Sequence, residues 1–238
     1  MPDSTIHVLS TRPLSPELIT GAAEKGITID VVPFITTEVV EDGLLQQRIG
    51  ELGGRRLAAV FTSTNAVEAV APWSRGTRLW TIFCIGAATR RLVEKHFGEG
   101  AIAGTAESAL ALAKKIISQE EDAEIFFFCG DQRREDLPSV LRQAGFRVNE
   151  LVVYQTKATP HKTERSYEGL VFFSPSAVES YFSVNTVAAG TTLFAIGRTT
   201  AAAIQVFCSN PVVVAEQPDA AILISQVIDH FQIKNSQH

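Results

Sequence analysis

The sequence predicts an α/β protein of two lobes, each built on a parallel sheet with helices on both faces, and three observations support this. Apolar strand segments alternate with helical segments along almost the whole chain. The strand-to-helix stretch AAVFTSTNAVEA at 58–69 returns as GLVFFSPSAVES at 169–180, and the same displacement of 111 residues carries Thr89 onto Thr200. Two copies at a domain-sized offset indicate a duplicated array rather than a solenoid.

The amino-terminal segment predicts one βαβ unit, with a strand, a helix and a second strand at 6–11, 16–25 and 27–34. Gly26 closes the helix. The polar stretch 35–43 carries no predicted element, and we expect the chain to leave the first lobe there. Residues 44–52 are weakly helical.

From residue 57 onward, strand and helix patterns alternate without interruption. The predicted strands are 57–63, 79–86, 101–104, 124–130 and 146–156, and the predicted helices are 65–73, 87–97, 108–119 and 135–145. Such alternation implies parallel strands, because each helix provides the crossover to the next strand.

The polar segment 157–168 has no period and is interpreted as a return crossing between the lobes. Beyond it lie only three predicted strands, 169–174, 192–197 and 211–215, with helices at 176–182, 199–207 and 218–231. The strand-helix pairs missing from this part are those of residues 6–34, which resemble residues 124–156 in order. We therefore expect a discontinuous first lobe of residues 1–35 plus 160–238, with the second lobe inserted as 38–155.

Composition excludes several classes of function. The net charge of −5 without a basic block gives no footprint for nucleic acid. No apolar run approaches the roughly 18–20 residues that a membrane span needs, and no export signal is visible. Three widely spaced cysteines suit reduced thiols in the cytoplasm, where we expect the protein. The five histidines lack metal-ligand spacing, so no metal is expected.

Several motifs, taken together, resemble the uroporphyrinogen-III synthase family. They are STRP at 10–13, FTSTNAVEA at 61–69, CIGAATRRLV at 84–93, CGDQRREDLPSVLRQAGFRVNELVVYQT at 129–156, FFSPSAVESYF at 172–182 and AIGRTTAAAI at 195–204. Each is weak alone. Their shared order over nearly the whole chain, and a length near 240 residues, make the resemblance specific.

The resemblance implies an enzyme that needs no cofactor. It would close linear hydroxymethylbilane into uroporphyrinogen III, with loss of water and inversion of ring D. The resemblance also implies two flavodoxin-like lobes joined by a two-stranded connection, with the substrate in a cleft between them. We expect a monomer whose lobes rotate as rigid bodies, and a transient contact with the preceding enzyme of the pathway is left open.

Hydroxyl-bearing residues cluster where the predicted strands end, which is where doubly wound sheets bind ligands. The candidate substrate-binding residues are Thr11, Arg12, Ser63, Thr89, Ser174, Ser176, Thr199 and Thr200. A substrate with eight carboxylates suits helix N-termini. Because the chain is acidic, affinity must come from local donors, with arginines as supplements: Arg12, Arg90, Arg133, Arg134 and Arg198.

Structural explanations compete for the same residues. Ser176 with Glu179, and Asn65 with Glu68, have the spacing of capping boxes. Ser63 and Ser174 would then lie in the turn just before each cap, where turn geometry alone favours Ser. Thr89 and Thr200 fall in the first helical turn, where helix propensity does not favour Thr, so we expect them to contact ligand.

Tyr154 is the strongest catalytic candidate. It ends the strand LVVYQT where the chain leaves the second lobe. The family's VYxT motif has a tyrosine there that has been considered the general acid for the departing hydroxyl. A phenol is mostly protonated at neutral pH and can donate to a leaving hydroxyl. The structural alternative is an amphipathic residue at a lobe junction.

A second function from another class remains open. A two-lobed binding or sensor protein that closes over a small anion, without catalysis, would have the same sequence pattern. A nucleotide or flavin enzyme is less favoured, because neither GxGxxG nor GxxxxGK[ST] follows any strand.

Overall fold

The computed structural model describes residues 5–120 and 124–235. The strands are β1 (Ile6–Ser10), β2 (Ile27–Val31), β3 (Ile35–Val39), β4 (Leu57–Phe61), β5 (Trp80–Ile85), β6 (Ile102–Ala106), β7 (Ile125–Gly130), β8 (Val148–Ala158), β9 (Gly169–Phe172), β10 (Thr192–Ala195) and β11 (Val212–Val214). The helices are α1 (Pro16–Ala23), α2 (Gly43–Leu52), α3 (Thr64–Val70), α4 (Ala87–Phe97), α5 (Ala109–Gln119), α6 (Asp136–Gln143), α7 (Pro175–Phe182), α8 (Arg198–Phe207) and α9 (Ala220–Asn235). These elements confirm the predicted α/β class.

The chain divides into two compact units. Unit 1 comprises Met1–Thr36 and Lys157–His238, and unit 2 comprises Thr37–Thr156. The chain passes from one unit to the other within β3 and again within β8, which are neighbours in one sheet.

Unit 1 is built on a five-stranded parallel sheet of order β11-β10-β9-β1-β2. Helices α1 and α9 pack on one face, through a cluster that includes Val8, Ala22 and Phe231. Helices α7 and α8 pack on the other face, against Leu9 and Phe172. The strands are short and apolar because both faces are covered.

Unit 2 has the order β3-β8-β7-β4-β5-β6. Helices α2, α3 and α4 cover one face of its sheet, and α5 and α6 cover the other. Without β3, the order β8-β7-β4-β5-β6 repeats the order β2-β1-β9-β10-β11 of unit 1. The two sheets therefore share one flavodoxin-like topology, in which β7 and β8 take the places of β1 and β2.

The polar stretch 35–43 was predicted without a strand, and that prediction was wrong. Residues 35–39 form β3, which lies at the edge of the unit 2 sheet beside β8. Ile35, Thr36, Thr37 and Val39 are β-branched and favour extended backbone, but four of the five residues of β3 are exposed, so no apolar alternation marks the strand. Strand β8 also runs two residues past the predicted end at 156.

Candidate functional site

The carboxyl edge of the unit 1 sheet has a topological switch point between β1 and β9. These strands are parallel neighbours. After β1 the chain enters α1 on one face, and after β9 it enters α7 on the opposite face. In doubly wound sheets the loops leaving two such strands diverge and leave a crevice for ligand. The predicted residues Thr11, Arg12, Ser174 and Ser176 lie in these two loops or the helix start that follows.

Ser174 is the N-cap of α7, and its Oγ accepts a hydrogen bond from the backbone N–H of Ala177 at 3.2 Å. The Ser176 Oγ lies 3.2 Å from that of Ser174. The predicted capping box on Ser176 is therefore wrong, and the same holds for Asn65, since Ser63 caps α3. Each helix begins earlier than expected. In α7 the reason is Pro175, whose fixed φ suits the first helical position.

Thr11 and Arg12 have different environments. Thr11 is fully buried, and its Oγ1 donates to the backbone carbonyl of Val171 at 2.9 Å, so it ties the end of β1 to β9. Arg12 is exposed, and its guanidinium lies 4.1 Å from the ring centroid of Phe173. Partial burial lowers the pKa of Arg12, and the Asp219 carboxylate opposes that shift. Arg12 thus presents a cation at the carboxyl edge.

The first turns of α8 and α4 carry the remaining threonines. Thr199 is exposed, whereas Thr200 and its counterpart Thr89 are buried, with exposed fractions of 1% and 5%. Burial places Thr89 and Thr200 against the core beneath their helices. Of these three threonines, Thr199 is the one whose side chain is exposed.

In unit 2 the carboxyl edge brings Ser63 and Tyr154 together. Strand β7 is the parallel neighbour of both β4 and β8, and Tyr154 is the last residue of β8 that pairs with β7. The Ser63 Oγ accepts from the Ala66 N–H at 3.3 Å and donates to the Tyr154 hydroxyl at 3.1 Å. With the serine proton directed to the phenol oxygen, the phenol proton is free for another acceptor.

Gly130 and Asp131 also belong to this edge, and sequence reasoning did not single them out. A β-bulge between Cys129 and Gly130 brings Tyr154 opposite Gly130. The Asp131 N–H donates to the Tyr154 carbonyl at 3.2 Å, and Asp131 Oδ1 accepts from the Thr156 N–H at 2.9 Å. The sequence feature that could have identified them is the Gly-Asp pair directly after an apolar strand, because such a pair is typical of a turn.

The other candidate arginines differ in their surroundings. Arg90 pairs with Glu94 at 2.7 Å, and Arg133 pairs with Glu135 and Glu150. Carboxylates of their own unit therefore neutralise these two guanidinium groups. The remaining two, Arg134 and Arg198, are exposed.

A cavity of about 330 Å³ in unit 1 does not coincide with the predicted residues. It lies between residues 162–167, which precede β9, and residues 184–188, which follow α7. None of the predicted site residues lines it. Asn185 bridges its walls, because its side chain bonds to Thr163 and to the carbonyls of His161 and Tyr181.

Two negative observations concern the described residues alone. Among the side chains of residues 5–120 and 124–233, no three of His, Cys, Asp or Glu are grouped to hold a metal ion. His238 lies outside the described residues. In the same part of the chain, no helix is long and apolar enough to cross a membrane.

The fold and these edges define a class of protein: a duplicated, flavodoxin-like α/β protein with a hydroxyl-rich carboxyl edge in each unit. A family model described as uroporphyrinogen-III synthase HemD matches residues 16–225. The chain belongs to the uroporphyrinogen-III synthase family, whose members are cyclising lyases of tetrapyrrole biosynthesis. This confirms the family resemblance and favours the enzyme over the non-catalytic binding protein.

Solved structures agree on the fold. The uroporphyrinogen-III synthetase of Helicobacter pylori is similar with a TM-score of 0.68 at 15% identity, over 94% of this chain and 99% of that one. A mutant uroporphyrinogen III synthase of Thermus thermophilus gives a TM-score of 0.60 at 16% identity, over 96% of this chain and 99% of that one. The matches span almost the whole of each protein.

Proposed function

We propose that this chain converts hydroxymethylbilane into uroporphyrinogen III and releases water. Membership of the synthase family provides the reaction. The observation that supports the proposal within the chain is the contact between Ser63 and Tyr154 at the carboxyl edge of unit 2, in which the serine donates to the phenol oxygen. The binding-protein alternative gives no reason for such a pair.

The first chemical step is loss of the terminal hydroxyl. The electron pair of the pyrrole nitrogen forms a C=N bond in the ring, the ring double bonds shift to form an exocyclic C=C bond to the hydroxymethyl carbon, and the C–O bond of that carbon breaks. The Tyr154 phenol donates its proton to the departing oxygen, which leaves as water. The resulting azafulvenium cation is attacked by the substituted carbon of ring D to form a spiro-pyrrolenine. Fragmentation and reclosure through the free α-carbon of ring D give the inverted ring, and the proton that this carbon releases restores the Tyr154 phenol.

We propose that hydroxyl groups of the carboxyl edges, together with Arg12, position the substrate. In unit 1 we assign carboxylate contacts to Arg12, Ser174, Ser176 and Thr199, since each is exposed or half-buried. Thr11 and Thr200 support these contacts from beneath, because their side chains are buried, and Thr89 has the same buried position in unit 2. Several modest contacts can hold a flexible polyanion even though the protein is acidic.

The reaction requires no electron transfer or activated phosphate, so we propose that it proceeds without metal, nucleotide or flavin. We further propose a cytoplasmic monomer that takes up its unstable substrate directly, with a transient contact to the preceding enzyme as one route. The catalysed reaction must be faster than the spontaneous closure of hydroxymethylbilane, because spontaneous closure gives the uninverted isomer I.

The proposal is tested by turnover. Hydroxymethylbilane is generated enzymatically, the chelator-treated protein is added at one-hundredth of the substrate concentration, and the uroporphyrin isomers are separated after oxidation. We expect isomer III in large excess over the protein. A binding protein could alter at most one substrate molecule per chain, so isomer I as the sole product, or isomer III limited to the protein concentration, would refute the enzyme.

A further inference from the structure

We propose that Gly130 and Ser63 are positioning residues for Tyr154: Gly130 fixes the plane of the ring and Ser63 fixes the direction of the phenol proton. This inference rests on the proposed function for its catalytic meaning. The contacts that support it are made among three residues of unit 2. They can therefore be tested in the protein without substrate.

The role of Gly130 follows from its lack of a side chain, because the Tyr154 ring occupies the place where a Cβ atom would lie. The bulge after Cys129 shifts the register so that Gly130, and not Cys129, faces Tyr154. A Cβ atom at Gly130 would lie 2.5 Å from both Cε2 and Cζ of the tyrosine ring and 2.9 Å from its hydroxyl oxygen. These distances are far below van der Waals contact, so any larger residue would displace the ring.

The role of Ser63 follows from its two hydrogen bonds. Its Oγ accepts from the Ala66 N–H as the N-cap of α3, which holds the hydroxyl in one orientation. From there it donates to the Tyr154 hydroxyl oxygen. A phenol that accepts from serine directs its own proton elsewhere, so the bond selects the donor orientation that an acid needs.

The backbone next to the tyrosine is fixed as well. The Asp131 N–H bonds to the Tyr154 carbonyl, and the Asp131 carboxylate bonds to the Thr156 N–H. Strand β8 is therefore held at residue 154 and again at residue 156. A rigid support of this kind keeps a catalytic group near its productive geometry, and a misplacement of about 1 Å can cost up to 100-fold in rate.

The kinetic test uses Gly130→Ala and Ser63→Ala, each in the native chain and in a Tyr154→Phe background. In the native background we expect kcat to fall about tenfold, with KM changed less than twofold, because the acid is misdirected while substrate binding is retained. In the Tyr154→Phe background neither change should lower kcat further. Ser63→Thr keeps the hydroxyl and should retain most of the rate.

Matched controls separate positioning from stability. Ser108 caps α5 with the same geometry, its Oγ accepting from the Ala111 N–H at 3.3 Å, and Gly104 is a buried strand glycine whose added Cβ would meet Lys115 at 2.7 Å. Ser108→Ala and Gly104→Ala should cost stability without lowering kcat. If Ser63→Ala and Gly130→Ala lower kcat equally in both backgrounds, they do not act through Tyr154 and the proposal is wrong.

A spectroscopic test needs no substrate. The chain contains three tyrosines, so ¹³Cζ labelling gives three resonances, and Tyr154→Phe identifies one of them. Ser63→Ala and Gly130→Ala should each shift that resonance and leave the other two unchanged. An unmoved Tyr154 signal would overturn the positioning role even in a fully active enzyme. A protein that forms only isomer I would refute the proposed function, while the tyrosine spectrum would still decide the positioning.

Discussion

Ser63 and Ser174 lie 111 residues apart in the sequence and occupy the same structural position in the two units. Each caps the helix after its strand, with Oγ accepting from a backbone N–H at 3.3 Å in one unit and 3.2 Å in the other. Their second partners differ: Ser63 donates to Tyr154, whereas Ser174 lies beside Ser176. With Thr36 aligned to Thr156, the unit 1 counterpart of Tyr154 is Phe34, which has no hydroxyl. At this pair of matched positions, unit 2 has a phenol and unit 1 does not.

Ser174 should serve both stability and substrate binding. Ser174→Ala removes an N-cap and should lower the free energy of unfolding by about 1 kcal/mol. It should also raise KM, because a carboxylate donor is lost. Ser174→Asp keeps a capping oxygen and should restore the stability, while its charge repels the substrate and raises KM further. Urea unfolding and steady-state kinetics measure the two effects, and an unchanged KM in both variants would leave Ser174 with a capping role alone.

Arg12 should contribute to substrate affinity rather than to the chemical step. Arg12→Gln removes a charge-assisted hydrogen bond and should raise KM about tenfold, with kcat within twofold. Arg55 provides the control, since it pairs with Glu124 ahead of β4 and β7, at the opposite edge of a sheet. Arg55→Gln should leave KM unchanged. A large fall in kcat for Arg12→Gln would instead assign the guanidinium to the transition state.

Asn185 should be a stability residue of unit 1. It is 8% exposed, and its amide bonds to Thr163, His161 and Tyr181. Asn185→Ala leaves buried polar groups unsatisfied and should cost about 2 kcal/mol of unfolding free energy. Asn210→Ala is the comparison, because the Asn210 side chain likewise makes three hydrogen bonds, all to carbonyls, but lies where water can replace it, so its loss should cost less than about 1 kcal/mol. Equal losses would show that burial of Asn185 is unimportant.

The free energy of unfolding should fall steeply at alkaline pH. Burial raises the pKa of both the Cys84 and the Cys129 thiols to about 11. An unfolded thiol titrates near about 8.5, so the folded state retains protons that the unfolded chain releases. The stabilisation is complete below about pH 8.5 and is lost as the pH rises toward about 11, by on the order of 1–3 kcal/mol per thiol. Urea unfolding from pH 8 to 11 should show this slope, and Cys84→Ala and Cys129→Ala should each flatten it. A slope unchanged by both variants would contradict the assignment.

The sequence predicts more of the fold than of the candidate site. The 111-residue offset and the apolar strand runs mark their elements because buried parallel strands have a strong hydrophobic signal. Strand β3 has no such signal, since its residues are mostly exposed and are held by pairing with β8. Tyr154 and Ser63 could be named from the motifs.

Their contact could not be predicted from sequence. It depends on the bulge after Cys129, which sets the register of β7 against β8, and on Gly130, whose missing side chain makes room for the ring. A bulge of one residue leaves little trace in a hydrophobic pattern. The helix starts were misplaced for a related reason, because Ser63 and Asn65, like Ser174 and Ser176, are both acceptable caps, and the turn geometry selects between them.

The role of Tyr154 in catalysis is tested most directly by comparing the native chain with Tyr154→Phe in competition with spontaneous closure. The fraction of isomer III is measured as a function of protein concentration at a fixed substrate concentration. If Tyr154 is the general acid, the native chain drives the product to isomer III. Tyr154→Phe, although folded by circular dichroism, then needs about ten to a hundred times more protein for the same fraction of isomer III. Coincident curves for the two proteins, or isomer I alone at every concentration of the native chain, would contradict this role of Tyr154.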